Sequence, residues 1–463
     1  MPGDDWLAGQ HVRYLIETAD IGAAGARAST CTGTPWWCSA LVGLVHHAAW
    51  QYLAADSAFA AALAAMPEAE RCAWTDLTAL LADSARAGYR RASCTERDTV
   101  NDRIWWLADP LHVRAANDRR TEHYARMTID RIQRRSASGY GVTWRDVDLG
   151  ELLRRYGWPS HFAQTLPSPG RSEPPGIVAY DRTPSYHFLA DGNPSESLRE
   201  ITERHWTLRP LRPRERYAPP YATFATLRQL TSLFRRGDSV LVVSAYDVRD
   251  DTLMPVGPLT AALIVSASPG SPPVREVRHD GSTWGALTLV APAGPMLTSI
   301  EVLGGNRVRR ARLAVTLTDS SPRRIHISDL AFFAPRDSLP HTIDAFLQVA
   351  RASATARRGE KLGLFWELYG LRATDDDMML RVQVIREGRH WLRRAGERIG
   401  LIGRRSAVGF GWREDARGNE AIATRAIVVD LASLDPGEYR IEVSLTRGTD
   451  TPVTASRRLE IIR

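Results

Sequence analysis

The residues whose types could support chemistry are concentrated between positions 104 and 159, a stretch rich in tryptophan, histidine, arginine and carboxylate. We select from it a candidate binding cluster, which consists of Trp105, Trp106, Asp109, Arg120, Glu122, His123, Trp144 and Asp146. His112, Glu122 and His123 offer in principle the three protein ligands of a metal site. Asp109, Glu122 and His123 would suit a hydrolase if the fold brings them within hydrogen-bond reach.

Each of these chemistries competes with a purely structural interpretation. Adjacent residues on a helix point about 100° apart, so Glu122 and His123 cannot easily hold the same ion. The chain has no H-E-x-x-H pattern, no nucleophile elbow and no phosphate-binding glycine loop. We therefore predict no catalytic residue, no metal and no cofactor. We expect instead an ion-pair and capping network of Asp109, Arg119, Arg120 and Glu122.

Length, composition and charge indicate which classes of protein fit the sequence. The 463 residues correspond to about three domains, and the 44% hydrophobic and 24% charged residues are those of an ordinary folded protein. No run approaches the roughly 18 apolar residues of a membrane span, so we predict no transmembrane segment. The net charge is +7, but Lys361 is the single lysine and the arginines are interleaved with 53 acids. Because nucleic-acid-binding proteins normally cluster their basic residues, we predict no nucleic-acid partner.

The cysteines indicate the compartment. Cys31, Cys38, Cys72 and Cys94 lie in the first fifth of the chain and include no C-x-x-C pair, so zinc is disfavoured. Their spacing favours the disulfides Cys31–Cys38 and Cys72–Cys94, with buried free thiols as the alternative. Disulfides imply an oxidising compartment, yet residues 1–5 do not resemble a signal peptide. We expect an extracytoplasmic protein with a signal peptide upstream of Met1, and a cytoplasmic one is the alternative.

Helical periodicity dominates residues 1–103, the first predicted domain. Apolar residues recur at three- and four-residue spacing from Trp37 to Trp50, and Asp56 is a candidate N-cap for the next helix. The register resembles a tetratricopeptide repeat, carried by Gly43, Ala55, Phe59, Ala62 and Pro67. A shift of 34 residues maps Gly43 onto Gly9, so a weaker repeat precedes it. This resemblance implies helical hairpins that bind a protein partner.

A second resemblance covers residues 104–208, the predicted central domain of mixed α/β structure. The stretch is similar to the GWxTD-domain family in Asp109-Pro110, in Asn117-Asp118 with Glu122, Tyr124 and Arg126, in Trp144-Arg145-Asp146 and in Tyr156-Gly157-x-Pro159. It departs at the name-giving motif, where Thr143 precedes a displaced Trp144. The family consists of bacterial proteins of largely uncharacterised function. The resemblance implies an extracytoplasmic bacterial protein and supplies no catalytic mechanism.

The period changes to two after a proline-rich connector at residues 209–220. Short strands separated by Gly, Pro and Asp turns predict two β-sandwich domains, at residues 221–335 and 357–463. Arg235-Arg236-Gly237-Asp238 and Arg357-Arg358-Gly359-Glu360 begin similar strand patterns, which indicates a duplication. The predicted fold class is therefore multidomain α+β, with helical hairpins, a small central domain and tandem sandwiches.

Three functions remain open at this stage. We favour a non-enzymatic, extracytoplasmic scaffold that binds a protein partner through its helical hairpins, with the oligomeric state undetermined. The alternatives are a glycan-binding protein, suggested by 14 tryptophans, and a hydrolase with its site in the central domain. A flat exposed row of Trp158, Trp206 and Trp284 would favour glycan binding. Four other tryptophans occupy apolar patterns and are expected in the core, namely Trp37, Trp50, Trp106 and Trp366.

Overall fold

The structure is a computed structural model that divides into two compact units. It describes residues 3–134, 147–159, 161–163, 177–179, 186–191, 198, 201–206, 208, 215–317, 325–371, 378–387, 406–414, 422–448 and 450–463. The first unit comprises Met1–Ala225 with Ser268–Ser271, and the second comprises Thr226–Ala267 with Pro272–Arg463. Helices dominate the first and β-sheets the second, which confirms the multidomain α+β class.

Helices of the first unit form antiparallel hairpins followed by a longer buried helix. In chain order they are α1 (Asp5–Glu17), α2 (Ile21–Ser29), α3 (Pro35–Ala48), α4 (Tyr52–Ala65), α5 (Glu68–Trp74), α6 (Asp83–Arg91), α7 (Cys94–Ala108), α8 (Asp118–Gln133) and α9 (Val147–Tyr156). No helix of the described residues is long and apolar enough to cross a membrane. The unit also contains β1 (His161–Ala163), which pairs antiparallel with β2 (Ile177–Ala179).

Small residues allow the hairpins to pack closely. A Cβ at Gly43 of α3 would lie 2.7 Å from the ring of Phe59 on α4, so the small residue predicted at this position is required. At Gly9 of α1 a Cβ would lie 2.8 Å from Ile132 of α8 and 2.9 Å from Trp37 of α3. Helix α8 therefore covers the face that α1 and α3 form. All three helices contribute to one hydrophobic core.

The predicted cap at Asp56 is wrong. Helix α4 begins at Tyr52, so Asp56 lies inside the helix and its carboxylate receives two hydrogen bonds from Arg120 of α8, at 2.9 and 2.5 Å. By contrast, Asn117 caps α8, because its side chain accepts a hydrogen bond from the amide of Arg120.

Two disulfides connect helices of the first unit. Cys31–Cys38 joins the end of α2 to α3, and Cys72–Cys94 joins α5 to the start of α7, so the predicted pairing is confirmed. Helix α7 also begins with a capping box formed by Ser93 and Glu96. Because disulfides persist in oxidising compartments, these bonds indicate an oxidising environment for the folded chain.

Strands follow one another through the second unit. They are β4 (Arg228–Arg236), β5 (Ser239–Asp247), β6 (Thr260–Ser266), β7 (Val274–Arg278), β8 (Trp284–Pro292), β9 (Pro295–Gly304), β10 (Arg307–Thr316), β11 (His326–Ile327), β12 (Ala331–Phe333), β13 (Thr355–Arg357), β14 (Lys361–Tyr369), β15 (Met378–Arg386), β16 (Ser406–Glu414), β17 (Ile422–Asp430), β18 (Gly437–Arg447) and β19 (Val453–Ile462). An extended segment, β3 (Thr223–Thr226), precedes them, and the short helix α10 (Ile343–Leu347) follows β12.

The first sandwich packs a sheet of order β4-β5-β8 against strands of order β10-β9-β6-β7. Both sheets are antiparallel, and their inner faces contribute to one core that includes Val242, Leu263, Leu287 and Ile300. Alternation of apolar residues along each strand places these side chains on the same face.

The second sandwich packs β14 and its neighbours against a sheet of order β13-β19-β18-β15-β16. One edge of β14 pairs with β17 and the other with β11 and β12. The predicted first sandwich, residues 221–335, ends too late, because β11 and β12 hydrogen-bond to β14 of the second sandwich. The register brings Phe333 over Gly363, where a Cβ would lie 2.3 Å from the ring, so β14 needs glycine there.

Candidate functional site

Helix α8 positions most of the residues that were selected from the sequence. Twelve of its 16 residues are buried, although the helix carries many charged groups. Asn117 holds its N-terminus, because the amide nitrogen of that side chain donates to the backbone oxygen of Trp105 at 2.5 Å. Since buried charges are costly unless they are paired, each ionised group of α8 needs a partner from a surrounding element.

The most deeply buried of these groups is Arg119. Its guanidinium donates two hydrogen bonds to Oε2 of Glu215, at 3.1 and 2.8 Å, and both side chains are fully buried. Oε1 of Glu215 accepts from His187 at 3.1 Å and from the amide of Phe188 at 3.2 Å. Burial by itself would raise the pKa of Glu215, but Arg119 and His187 outweigh it and lower the pKa to about 2. Glu215 is therefore an anion that joins α8 to two later segments.

His123 faces a different environment from Glu122. Its Nε2 lies 3.1 Å from the backbone oxygen of Trp74, and its ring lies 5.2 Å from that of Trp105. Burial, with a contribution from the cation of Arg119, lowers the pKa of His123 to about 3. The imidazole is therefore neutral over the physiological pH range and donates to the Trp74 carbonyl.

This lowered pKa predicts acid destabilisation of the first unit. Below pH 6.5 the unfolded chain protonates His123 while the folded chain does not, so the unfolded state binds more protons and stability falls as the pH drops towards 3. We expect a slope of up to about 1.4 kcal/mol per pH unit between pH 6.5 and 4.5. Hydrogen exchange of α8 amides, recorded as a function of pH, measures this change in the free energy of unfolding. His123→Gln should reduce its dependence on pH. An unchanged slope would contradict the assignment, and His11→Gln, at an exposed histidine, is the control.

Glu122 contributes to a separate feature, which we call the aromatic pocket. It is a depression of about 330 Å³ whose lining includes His47, Trp50, Tyr52, Glu122, Arg126, Tyr156, Gly157, Trp158, Arg216, Tyr217 and Pro220. The helical hairpin of α3 and α4 contributes one side, α8 the floor, and the turn after α9 another side.

An ion-pair network forms the floor of the aromatic pocket. Glu122 Oε2 lies 2.7 Å from Nε2 of His47, and Glu122 Oε1 accepts from Nε of Arg126 at 2.5 Å. Burial would raise the pKa of Glu122, but Arg126 and His47 outweigh it, so the pKa lies well below its usual range. The rest of the Arg126 guanidinium donates to the backbone oxygens of Arg154, Arg155 and Arg216, at 2.7–3.1 Å. These bonds fix the turn that follows α9.

Both ring nitrogens of His47 are engaged in this network. Nδ1 lies 3.0 Å from Oγ1 of Thr121, whose hydroxyl donates to the backbone oxygen of Asp118. Each nitrogen of His47 therefore already has a hydrogen-bond partner within the network. A general base needs a nitrogen lone pair that faces the substrate. The arrangement at His47 is that of a structural ion pair.

The rim of the aromatic pocket carries two exposed tryptophans. Trp50 is 57% exposed and Trp158 is 40% exposed. The expectation that Trp50 belongs to the core is wrong. Helix α3 ends at Ala48, and Trp50 has a positive φ of 61°, so the helical period stops before it and its ring leaves the buried stripe. Trp37 and Trp366 are buried as expected, whereas Trp106 is only partly buried.

Trp50 closes the helix in a conformation that normally requires glycine. Its amide donates to the backbone oxygen of His47, and the amide of Gln51 donates to that of His46, so the end of α3 is a Schellman motif with tryptophan at the left-handed position. A left-handed conformation costs a residue with a Cβ about 1–2 kcal/mol. The turn after α9 also has a left-handed φ, but there the residue is Gly157. Its missing side chain lets the turn approach Arg126 closely.

The remaining members of the predicted cluster are dispersed. Trp105 is buried beside His123, Asp109 Oδ1 accepts from the amide of Leu111 in the turn after α7, and Arg120 pairs with Asp56. The backbone oxygen of Trp106 lies 3.0 Å from Nε2 of His112. Trp144 and Asp146 lie outside the described residues.

The proposed ligands of a metal or hydrolytic site do not converge. Glu122 faces His47 and Arg126, whereas His123 faces Trp74 and Trp105. Within the part of the chain that the structure describes, no group of three or more His, Cys, Asp or Glu side chains is arranged to hold a metal ion.

Several residues that matter at the site were missed in the sequence. His47 was not selected as a site residue, Trp50 was assigned to the core, and Glu215 was placed in a connector. Their partners are distant along the chain, since 75 residues separate His47 from Glu122 and 96 separate Arg119 from Glu215. The Trp158 turn alone carried a signal, the Tyr156-Gly157-x-Pro159 motif.

Comparisons with known proteins yield no family. No family model matches the chain, and no curated protein matches it. Similar solved structures include red sea bream transglutaminase (TM-score 0.17, 7% identity, 52% of this chain and 32% of that one) and the D0-D1 domain of intimin (0.22, 10%, 48% and 90%). Escherichia coli α-2-macroglobulin activated by porcine elastase also matches (0.17, 11%, 50% and 22%). The chain thus spans about a third of the length of the transglutaminase and about a fifth of the length of the α-2-macroglobulin.

Proposed function

We propose that this chain is a non-enzymatic, extracytoplasmic protein that binds a protein partner, and that the aromatic pocket receives a side chain of that partner. The observation that carries the proposal is Trp50, a large apolar side chain that is exposed and held at a left-handed φ. Strained conformations of this kind persist where the surrounding structure enforces them, and they cluster at binding sites.

The composition around Trp50 supports a protein partner. Binding hot spots are enriched in tryptophan, tyrosine and arginine at desolvated pockets, and the aromatic pocket combines these types. Leu53, three residues further on, is 60% exposed and extends the apolar rim along α4. The proposed binding surface of the helical hairpins is the turn between α3 and α4, because α8 covers the face of α1 and α3.

The floor of the pocket supports binding over catalysis. The carboxylate of Glu122 is paired with Arg126 and His47, and both ring nitrogens of His47 have partners. Because these groups are held by hydrogen bonds to one another, a partner side chain would enter a preformed site with little loss of conformational entropy.

A glycan site built on a flat row of Trp158, Trp206 and Trp284 is not supported. The proposed flat row required Trp206 at the surface, but Trp206 is buried and its indole donates to the backbone oxygen of Leu107 at 3.0 Å. The two disulfides and the resemblance to the GWxTD-domain family support a periplasmic or secreted location.

Photo-crosslinking in the native bacterium tests the proposed partner site. A photoreactive residue in place of Leu53 should yield one discrete covalent adduct with a protein, and the same residue in place of Tyr14, which is 57% exposed on α1, should not. With the partner identified, Trp158→Ala should weaken binding by at least about tenfold, as expected for a hot-spot aromatic.

Trp50→Gly separates binding from folding. Glycine relieves the left-handed strain at the end of α3, so the variant should be about 1 kcal/mol more stable than the natural chain. It should nevertheless bind the partner at least about tenfold more weakly. Equal crosslinking at positions 53 and 14, or a Trp50→Gly variant that binds normally, would contradict the proposal.

A further inference from the structure

The second unit contains a groove that is separate from the aromatic pocket. It encloses about 1030 Å³ between elements of the two sandwiches, and its lining includes the start of β4, the end of β5, the start of β8 and most of the segment from residue 349 to residue 360. We call it the arginine groove, because it is lined by Arg228, Arg249, Arg336, Arg351, Arg357 and Arg358. Only three carboxylates line it, namely Asp247, Asp250 and Glu360. The groove therefore has an excess of positive charge.

The carboxylates are already engaged by three of the arginines. Arg249 donates to both oxygens of Asp247 at 3.0 and 2.8 Å, and Arg228 donates to Asp250 at 3.1 Å. Arg351 donates to Glu360. These pairs fix three guanidinium groups and consume the negative charge of the groove.

The other arginines supply the unneutralised charge. Arg336 and Arg357 are exposed, and neither has an ion pair among the described residues. Arg358 lies 3.5 Å from Asp435, and both of these side chains are largely exposed. Because guanidinium groups bind carboxylate and sulfate in a bidentate geometry, Arg336 and Arg357 are suited to hold anionic groups of a ligand.

The backbone of the groove argues against an extended peptide. Strand β13 pairs with β19 on one side, which leaves its other edge available for strand addition in principle. On that edge the amide of Thr355 donates to Oγ of Ser353 at 3.0 Å, and the amide of Arg357 donates to Glu360 at 2.8 Å. The edge amides are thus capped by the chain itself, and a ligand must be recognised by side chains.

One aromatic side chain lies in the groove beside the arginines. Trp284 is partly exposed at the start of β8, and the guanidinium of Arg249 lies 5.3 Å from its ring. An apolar ring next to fixed cations fits a ligand that combines C–H faces with regularly spaced negative charge. Sugars that bear carboxylate or sulfate groups have both features.

We propose that the arginine groove binds an acidic polysaccharide, whose carboxylate or sulfate groups contact Arg336 and Arg357 and one of whose sugar rings packs on Trp284. This site is independent of the aromatic pocket, which belongs to the other unit.

Affinity measurements on the full chain test the proposal. The probes are polygalacturonate oligomers, dextran sulfate and neutral dextran, with poly-glutamate and single-stranded DNA as competing polyanions. The double variant Arg336→Gln/Arg357→Gln should weaken binding of the acidic polysaccharide by about a hundredfold, since each of the two charge-assisted contacts contributes about tenfold. Trp284→Ala should weaken it by about threefold. Neutral dextran should not bind.

A charge-matched control makes the outcome decisive. Arg275→Gln/Arg381→Gln removes two exposed arginines of the same unit that do not line the groove, and should change affinity by less than twofold. An equal loss in both double variants would overturn the proposal, because binding would then depend on net charge. Tighter binding of poly-glutamate or single-stranded DNA than of both acidic polysaccharides would also overturn it.

Discussion

Replacing Glu215 by glutamine should destabilise the first unit by about 3–5 kcal/mol at pH 7, the cost of removing one partner from a buried ion pair. Glutamine retains the length of the side chain, and its oxygen can still accept from the amide of Phe188. The charge that neutralises Arg119 is lost, and an NH₂ group then faces the two donors of the guanidinium. The fully buried cation has no alternative access to water.

Hydrogen exchange of α8 amides measures this loss locally, which is necessary because the protein has two units and global unfolding need not be two-state. Glu68→Gln, at an exposed glutamate of α5, is the matched control and should change stability by less than about 0.5 kcal/mol. The lowered pKa of Glu215 gives the sign of the pH effect: the stabilisation is complete above about pH 4.5 and is lost as the pH falls towards 2. A loss below 1 kcal/mol at pH 7 would contradict the buried pair.

The paired substitution Cys72→Ser/Cys94→Ser should lower the stability of the first unit by about 3 kcal/mol. The bond closes a loop with a sequence separation of 22, and its removal restores the entropy of that loop to the unfolded chain. Cys31→Ser/Cys38→Ser opens a separation of only 7 and should cost less, about 2.5 kcal/mol.

Hydrogen exchange of α7 amides measures both losses. Alkylation of the natural chain without reductant is the control for bond formation and should leave all four cysteines unmodified, as no cysteine of the chain is free. Labelled thiols in the natural chain would show that the disulfides do not form. A double variant as stable as the oxidised natural chain would show that the bond does not stabilise the first unit.

The elements of this fold follow from local patterns far better than its contacts do. The period-two pattern after residue 220 predicted the two strand-rich regions, at residues 221–335 and 357–463, in which β4 to β12 and β14 to β19 lie. Helix α4 was predicted as well, but its start was misplaced because Asp56 was taken for a cap. A carboxylate near a helix start fits a cap and an ion pair equally, and only the position of Arg120, 64 residues away, decides between them.

The candidate site was predictable only in part. The sequence identified Arg119, Arg120 and Glu122, which lie on α8, as members of an ion-pair network. The network itself was inaccessible, because Glu122 contacts a histidine of α3 and Arg119 contacts a glutamate in a proline-rich segment. The exposure of Trp50 depends on a backbone dihedral angle that no hydrophobic period encodes.

The cover that α8 provides over α1 and α3 has a consequence for biogenesis. During synthesis the hairpins leave the ribosome roughly 70 residues before α8 does, and Glu215 follows about 80 residues after α8. Until then the apolar surface around Trp37 has no cover, and Arg119 has no counter-ion. The helical segment therefore completes its core and its buried ion pair only after residue 215 has been synthesised. Until then the nascent chain exposes apolar surface, the condition under which partly folded chains aggregate.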